Sequence, residues 1–224
     1  MLPTTRRGYR TRPLHERLAR ARLCLIATAS VARLPLSDAV AAAIDGGADV
    51  IQLREKEMDG GAFLELADEL RLVCAARDVL FVVNDRVEAA RIVGADGVHV
   101  GQDDAPVAEA RRLLGREAIV GVSTHDAAEL DGALRDGADY VGVGSVFVTT
   151  TKGRDVPVSG PAALGPLAAR AEARGVPAFA IGGITPENVR EVAAAGFRRV
   201  AVCAGVLATD DPAAAARAIV ASLS

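Results

Sequence analysis

The sequence predicts an α/β fold, a single (β/α)8 TIM barrel carrying a basic N-terminal extension. Three observations point to it. A short apolar or β-branched run followed by an alanine-rich amphipathic segment recurs at intervals of roughly 25 residues. The tripeptide Gly-Ala-Asp returns at 47–49, 94–96 and 137–139, each time closing a helical pattern with glycine and turning into the next apolar run. The 224 residues, half of them hydrophobic, show no change of composition that would mark a second domain, and α/β barrels of this length are routinely one domain. A doubly wound open sheet would need a glycine-rich first strand-to-helix turn, and the chain has none.

Taken in order, residues 1–22 hold seven arginines against one acid, Glu16. They read as a loose basic tail and a short helix near 15–21 that closes the base of a barrel formed by residues 23–224. A basic stretch, then the apolar run 23–29, then small residues is also the outline of an export signal, with Arg6-Arg7 as a twin-arginine pair. That run is short, however, and removing it would leave the repeat one strand short, so it reads as the first strand of a cytoplasmic protein. Strands are expected at 23–28, 50–53, 80–83, 97–100, 119–122, 140–143, 178–181 and 200–203. Helices are expected at 37–45, 62–76, 87–93, 106–114, 127–135, 161–174, 186–195 and 212–223. Thr185-Pro186 and Asp211-Pro212 each place a capping side chain before a proline at the first helical position.

The net charge of −3 argues against a nucleic-acid surface but not against a small anionic substrate. No membrane partner is expected, and a homo-oligomer is compatible with the composition. Cys24, Cys74 and Cys203 lack metal-type spacing and read as free thiols in a reducing compartment. Lysine occurs only at Lys56 and Lys152 in a chain that otherwise uses arginine. Both follow predicted strands, where a compact ammonium can enter a phosphate pocket that a planar guanidinium cannot.

In a barrel, active-site groups come from the carboxyl ends of the strands. Two neighbouring strands end in acid, at Asn84-Asp85 and Asp103-Asp104. Parallel neighbours lie about 4.8 Å apart, so these carboxylates can share one cation. Mg²⁺ held by one or two carboxylates keeps positions open for substrate phosphates. The plainer reading of each aspartate is a cap or turn residue. After the second strand, alternation turns Ile51 and Leu53 to the helices and Gln52, Arg54 and Lys56 to the barrel mouth. There they need a ligand, water or an acid such as Glu55, because unpaired burial costs several kcal/mol. Ser123 or Thr124 caps the next helix or meets a ligand. His125 reads as a structural hydrogen-bonder and His99, inside a strand, as core. The long loop 144–158 carries Thr149-Thr150-Thr151-Lys152, an anion-binding pattern on a segment able to act as a lid. Gly182-Gly183 and Cys203-Ala204-Gly205 follow the last two strands, where such barrels often bind phosphate through backbone amides. The residues thus suggest a magnesium-dependent enzyme handling two phosphorylated small molecules, one a diphosphate and one a monophosphate.

As a set, Q-L-R-E-K at 52–56, N-D at 84–85, G-V-H-V-G-Q-D-D at 97–104, G-V-S-T-H at 121–125, T-T-T-K at 149–152 and I-G-G-I at 181–184 resemble the thiamine-phosphate synthases. The resemblance implies a (β/α)8 barrel that joins hydroxymethylpyrimidine diphosphate to hydroxyethylthiazole phosphate, giving thiamine phosphate and diphosphate by dissociative alkyl transfer. It implies that Asp85 and Asp104 ligate Mg²⁺. Gln52, Leu53, Arg54, Glu55, Lys56, Asn84 and Lys152 would hold the pyrimidine diphosphate, with Ser123 near its ring, and Lys56, Asn84, Ser123 and Lys152 would carry the catalysis. Thr149, Thr150, Thr151, Gly183 and the Cys203-Ala204 backbone would bind the thiazole phosphate. The chain departs from the family at Ser145 and Val148, where proline is usual, and at Ala204, where serine is usual. A related thiazole tautomerase uses a histidine near His125, but it has no diphosphate to ionise and so no need of Asp104, Asn84-Asp85 and Lys152. A barrel that only binds thiamine phosphate would need no metal ligands.

Overall fold

The computed structural model describes residues 13–149 and 158–223 of the chain. Eight parallel strands close in sequence order into a barrel, β1 pairing with both β2 and β8. They are β1 (Leu23–Ala27), β2 (Val50–Leu53), β3 (Leu80–Asn84), β4 (Gly97–Val100), β5 (Ile119–Thr124), β6 (Tyr140–Gly144), β7 (Ala178–Ile181) and β8 (Val200–Val202). Around them lie α1 (Leu14–Arg20), α2 (Leu36–Asp45), α3 (Gly60–Ala76), α4 (Val87–Val93), α5 (Val107–Leu114), α6 (Ala127–Arg135), α7 (Pro161–Glu172), α8 (Val189–Ala194), α9 (Ala204–Leu207) and α10 (Pro212–Ser222). The expected (β/α)8 architecture is therefore the one observed. Among the described residues no helix is long and apolar enough to cross a membrane.

Strand alternation divides the core in two. Leu25, Ile51, Leu53, Phe81, Val83, Val98 and Val120 point outward into the layer beneath the helices. Cys24, Ile26, Val50, Leu80, Val82, Ile119, Tyr140, Phe179 and Ala201 point inward and fill the barrel. Leu18 of α1 is buried against this inner set, so the short helix closes the end opposite the strand tips.

The Gly-Ala-Asp repeat does more than turn the chain. Each glycine has positive φ, as a helix-ending turn requires. Each aspartate then reaches sideways to the first amides of the preceding strand. Asp49 accepts from Leu23, Asp96 from Phe81 at 2.9 Å and Asp139 from Val120 at 2.7 Å. These bonds pair strand-start N–H groups that would otherwise be orphaned at the base.

One helix start and one helix cap differ from the sequence reading. Thr185-Pro186 opens a turn rather than α8, which begins at Val189 because Asn188 folds back to the Thr185 amide and the Gly183 carbonyl. Neither Ser123 nor Thr124 caps α6. Asp126 does so, accepting from Ala128 and Glu129, while the Thr124 hydroxyl donates to the Gly142 carbonyl. The Asp211-Pro212 start of α10 is as expected, the carboxylate accepting from Ala214.

Candidate active site

Two adjoining cavities open at the carboxyl ends of the strands, and Arg54, Asn84 and Ser123 line both. The first, about 510 Å³, is charged and also takes in Lys56, Asp85, Gly101, Asp104 and His125. The second, about 670 Å³, is largely neutral. Gln52 and His99 form part of its floor, and Thr149, Gly183, Cys203 and Ala204 part of its wall.

The charged cavity is built by β3 and β4, whose residues Asn84 and His99 lie side by side in register. Asp85, one residue past β3, takes a left-handed backbone at φ 60 and donates its amide to the His99 carbonyl at 2.8 Å. Aspartate tolerates that conformation better than most side chains. The turn aims its carboxylate at the Lys56 ammonium, 3.2 Å away. Asp104 closes a tight loop after β4 by accepting from the Gly101 amide at 2.7 Å. A Cβ on Gly101 would lie 2.8 Å from that carboxylate, which would have to shift.

Asp85 and Asp104 share a side-chain hydrogen bond. Asp85 lies above the ordinary carboxylate range, first because it is buried and then because Asp104 holds its proton, with Lys56 pulling the other way. Asp104 lies below that range. Burial, its largest single influence, opposes the shift, but the bond from Asp85, the Gly101 amide, Lys56 and His99 together outweigh it. Two acids this close, facing one lysine, form an oxygen-only donor set suited to a hard divalent cation. Among the described residues no group of three or more His, Cys, Asp or Glu is placed to hold a metal.

The remaining sequence candidates sort cleanly. Gln52 is buried at the floor, and Arg54 and Lys56 follow it upward, as alternation implies. Leu53 turns its side chain into the outer layer and lines neither cavity. Glu55 lines neither as well. Its carboxylate accepts from the Ala29 amide, bracing the β1 and β2 loops, and among the described residues the strand's Lys56 pairs with Asp85 instead. Thr150, Thr151 and Lys152 lie outside the described residues, as does most of the basic tail. Ser145 and Val148, which replace the usual prolines, differ in setting: the Ser145 hydroxyl is buried and donates to the Phe147 carbonyl, whereas Val148 is exposed.

His99 sits in the core inside β4, as the sequence reading expects. It is buried, but it also lines the neutral cavity and bonds both Ser123 and Tyr140. The sequence reading does not single out Tyr140 or Arg86. Arg86 donates to the carbonyls of Lys56 and Met58 and stacks over Phe63 at 4.3 Å, fixing the loop that carries Lys56. Its position directly after Asn84-Asp85 was the available signal. Gln102 donates to the Ser123 carbonyl at 2.6 Å and ties the β4 loop to β5. His125 is held by Glu129 through Nδ1 at 2.7 Å.

With this geometry in hand, the chain can be set beside known proteins. Residues 23–206 match the family described as thiamine monophosphate synthase. A thiamine-phosphate synthase of Haloquadratum walsbyi is 47% identical over 183 residues, 81% of this chain and 81% of its own length. That of Synechococcus sp. (strain WH7803) is 45% identical over 204 residues, 90% of this chain but only 57% of its own length. The chain therefore spans little more than half of that relative. The solved thiamine phosphate pyrophosphorylase from Pyrococcus furiosus superposes with a TM-score of 0.81 at 33% identity, covering 94% of this chain and 97% of the other.

Proposed function

The chain belongs to the thiamine monophosphate synthase family, and on that premise we propose that it condenses hydroxymethylpyrimidine diphosphate with hydroxyethylthiazole phosphate. The products are thiamine phosphate and diphosphate. The observation that carries this reading is the Asp85–Asp104 pair facing Lys56 at the mouth of one cavity, beside a second cavity walled by Thr149, Gly183 and the Cys203-Ala204 backbone. A diphosphate suits the first and a monophosphate the second.

Asp85 and Asp104 would hold magnesium, which when bound neutralises charge on the diphosphate and makes it a better leaving group. Lys56, Arg54 and Asn84 grip the diphosphate oxygens from β2 and β3, with Lys152 as a further cation. Gln52 and Ser123 orient the pyrimidine ring. The C–O bond to diphosphate breaks with its electron pair going to oxygen, leaving an electron-rich pyrimidinylmethyl cation. The thiazole nitrogen then supplies the pair for the new C–N bond. No protein nucleophile is needed, so the side chains contribute orientation, charge stabilisation and exclusion of water. Such soluble phosphorylated substrates fit a cytoplasmic enzyme.

The test is incubation of the full chain with both phosphates and Mg²⁺, followed by chromatography for thiamine phosphate. Product should appear, and EDTA should abolish its formation with excess Mg²⁺ restoring it. No product at saturating Mg²⁺ would end the reading. Product formation indifferent to EDTA would remove the metal from it.

A further inference from the structure

Among the described residues, every side chain lining the charged cavity has a part in the condensation except His125. His125 lies one residue past β5 and extends the inward row Ile119, Gly121 and Ser123 by one further step, so alternation turns it to the barrel mouth. Unlike His99 it is not packed in the core, its side chain being 36% exposed. Its Nδ1 lies 2.7 Å from Glu129 Oε2, and the same oxygen accepts from the His125 backbone amide at 2.8 Å. Glu129 stands in the first turn of α6, where the Asp126 cap accepts from its amide. It is not part of the cavity wall and backs the imidazole from the helix side.

Two bonds to one oxygen assign the polarity of the ring. The Glu129 oxygen already accepts a backbone N–H, so it acts as a carboxylate acceptor, and the bond at Nδ1 is donated by the imidazole. The two nitrogens of an imidazole point in nearly opposite directions. With Nδ1 turned to α6, Nε2 is turned away from it, toward the cavity that the ring lines. Among the described residues Nε2 has no hydrogen-bond partner. The charged groups sharing the cavity with it are Arg54, Lys56, Asp85 and Asp104, with Glu129 behind the ring. An imidazole held between a fixed carboxylate and an incoming anion is stabilised with both nitrogens protonated, because each then faces an acceptor.

We propose that His125 is a further binding residue for the diphosphate, donating from Nε2–H to one of its oxygens, and that Glu129 is the positioning residue that aims the ring. As the anion enters, the imidazole takes up one proton from solvent. Nδ1–H stays on Glu129 and the new Nε2–H is directed at the ligand. Arg54 and Lys56 reach the anion from the β2 side and His125 from the β5 side. When the C–O bond breaks and its electron pair goes to the leaving oxygen, charge on the diphosphate rises, so the bond from Nε2 strengthens along the reaction. The inference rests on the charged cavity being the diphosphate site.

The first test uses the wild-type chain with ¹⁵N-labelled histidine. In long-range ¹H–¹⁵N spectra at fixed pH, inorganic diphosphate with Mg²⁺ should shift the His125 Nε2 signal to the protonated, hydrogen-bonded range and leave Nδ1 protonated. Saturating diphosphate that leaves Nε2 unchanged overturns the proposal. The second test compares two substitutions. His125→Asn keeps a donor near the Nδ1 position, within reach of Glu129, and loses Nε2, whereas His125→Gln carries an amide N–H out to the Nε2 position. His125→Asn should lower kcat/KM for the pyrimidine diphosphate by about 10–100-fold, the fold-change of one hydrogen bond to a charged group, and should weaken binding of inorganic diphosphate. His125→Gln should recover most of that loss, and KM for the thiazole phosphate should stay at the parent's value in both. A merely structural histidine, needed only to hold Glu129, gives the reverse order. An asparagine variant as active as the glutamine variant, or more so, therefore overturns the proposal. Should either variant fail to fold, the spectra of the wild type decide alone. A wild-type chain that neither turns over nor binds inorganic diphosphate overturns the proposed function along with this inference, whereas an active wild type whose Nε2 ignores diphosphate overturns only the inference.

Discussion

Replacing Asp85 by asparagine separates a metal ligand from a structural ion pair. Asparagine keeps the size of the side chain and tolerates the left-handed backbone at φ 60, so the perturbation is confined to charge. In the metal-free protein the Asp85 carboxylate feels attraction from Lys56 at 3.2 Å, repulsion from Asp104 and the penalty of partial burial. At an effective dielectric constant near 20, two unit charges about 4 Å apart interact by about 4 kcal/mol, so the attraction and the repulsion nearly cancel. Burial is left, and it disfavours the charge. The sign for pH follows. Because the folded pKa of Asp85 is raised, its contribution to stability is present below the unfolded value and is lost as pH rises through the folded one. Near neutral pH the asparagine variant should therefore be as stable as the parent or more stable by about 1 kcal/mol, a rise of about 2–4 °C in Tm. Magnesium response should move the other way. Loss of a direct ligand should cost more than the about 10–100-fold typical of an outer-shell partner. The assays are thermal unfolding with EDTA and kcat/KM across a Mg²⁺ titration. Activity within about threefold of the parent at moderate Mg²⁺ would refute the metal role. A Tm loss of many degrees without ion would show that the pair with Lys56 is structural.

Three further outcomes follow from separate parts of the fold. Gly183 has φ 61, and a Cβ there would lie 2.3 Å from the Val148 carbonyl. Gly183→Ala should displace the Thr149 loop and raise KM for the thiazole phosphate more than for the pyrimidine diphosphate, and equal KM values would show that the contact is unimportant. Asp96→Ala orphans the buried Phe81 amide and should cost about 1–3 kcal/mol in urea unfolding while leaving activity at 25 °C near the parent's. Thiol titration in the native state at pH 8 should modify Cys203, with protection by thiazole phosphate. It should spare Cys24 and Cys74, since burial pushes Cys74 up to about 12 and Cys24 higher still. Rapid modification of all three would contradict their burial.

What the sequence disclosed and what it hid divide along one physical line. At the strand tips, a polar residue in a position that alternation turns inward has no apolar role to play. Gln52, Arg54 and Lys56 were therefore visible by alternation, and Asn84, Asp85 and Asp104 as polar residues directly after two adjoining apolar runs; all six line one or both of the cavities. Deeper in the barrel the same rule loses its grip. His99 lies in mid-strand, and a lone histidine among valines is indistinguishable from a satisfied core residue until its partners are known. Those partners, Tyr140 and Ser123, lie 41 and 24 residues further along the chain.

A local signal did exist, but only in pairs of strands. Gly121 precedes Ser123 by one inward step on β5, and Gly142 follows Tyr140 by one on β6, so both glycines lie on the inner face where the barrel needs volume. Gly121 leaves room for Tyr140 on the adjacent β6, and Gly142 lies against His99, which reaches across from β4. The same logic applies at the base, where Asp49, Asp96 and Asp139 read as turn residues because their acceptor role is directed at a strand already passed. Features that depend on one residue and its own strand can thus be read from order and alternation. Features that depend on what other strands leave empty require the register, which is why the polar groups at the strand tips were legible and the hydrogen bonds of His99 to Ser123 and Tyr140 were not.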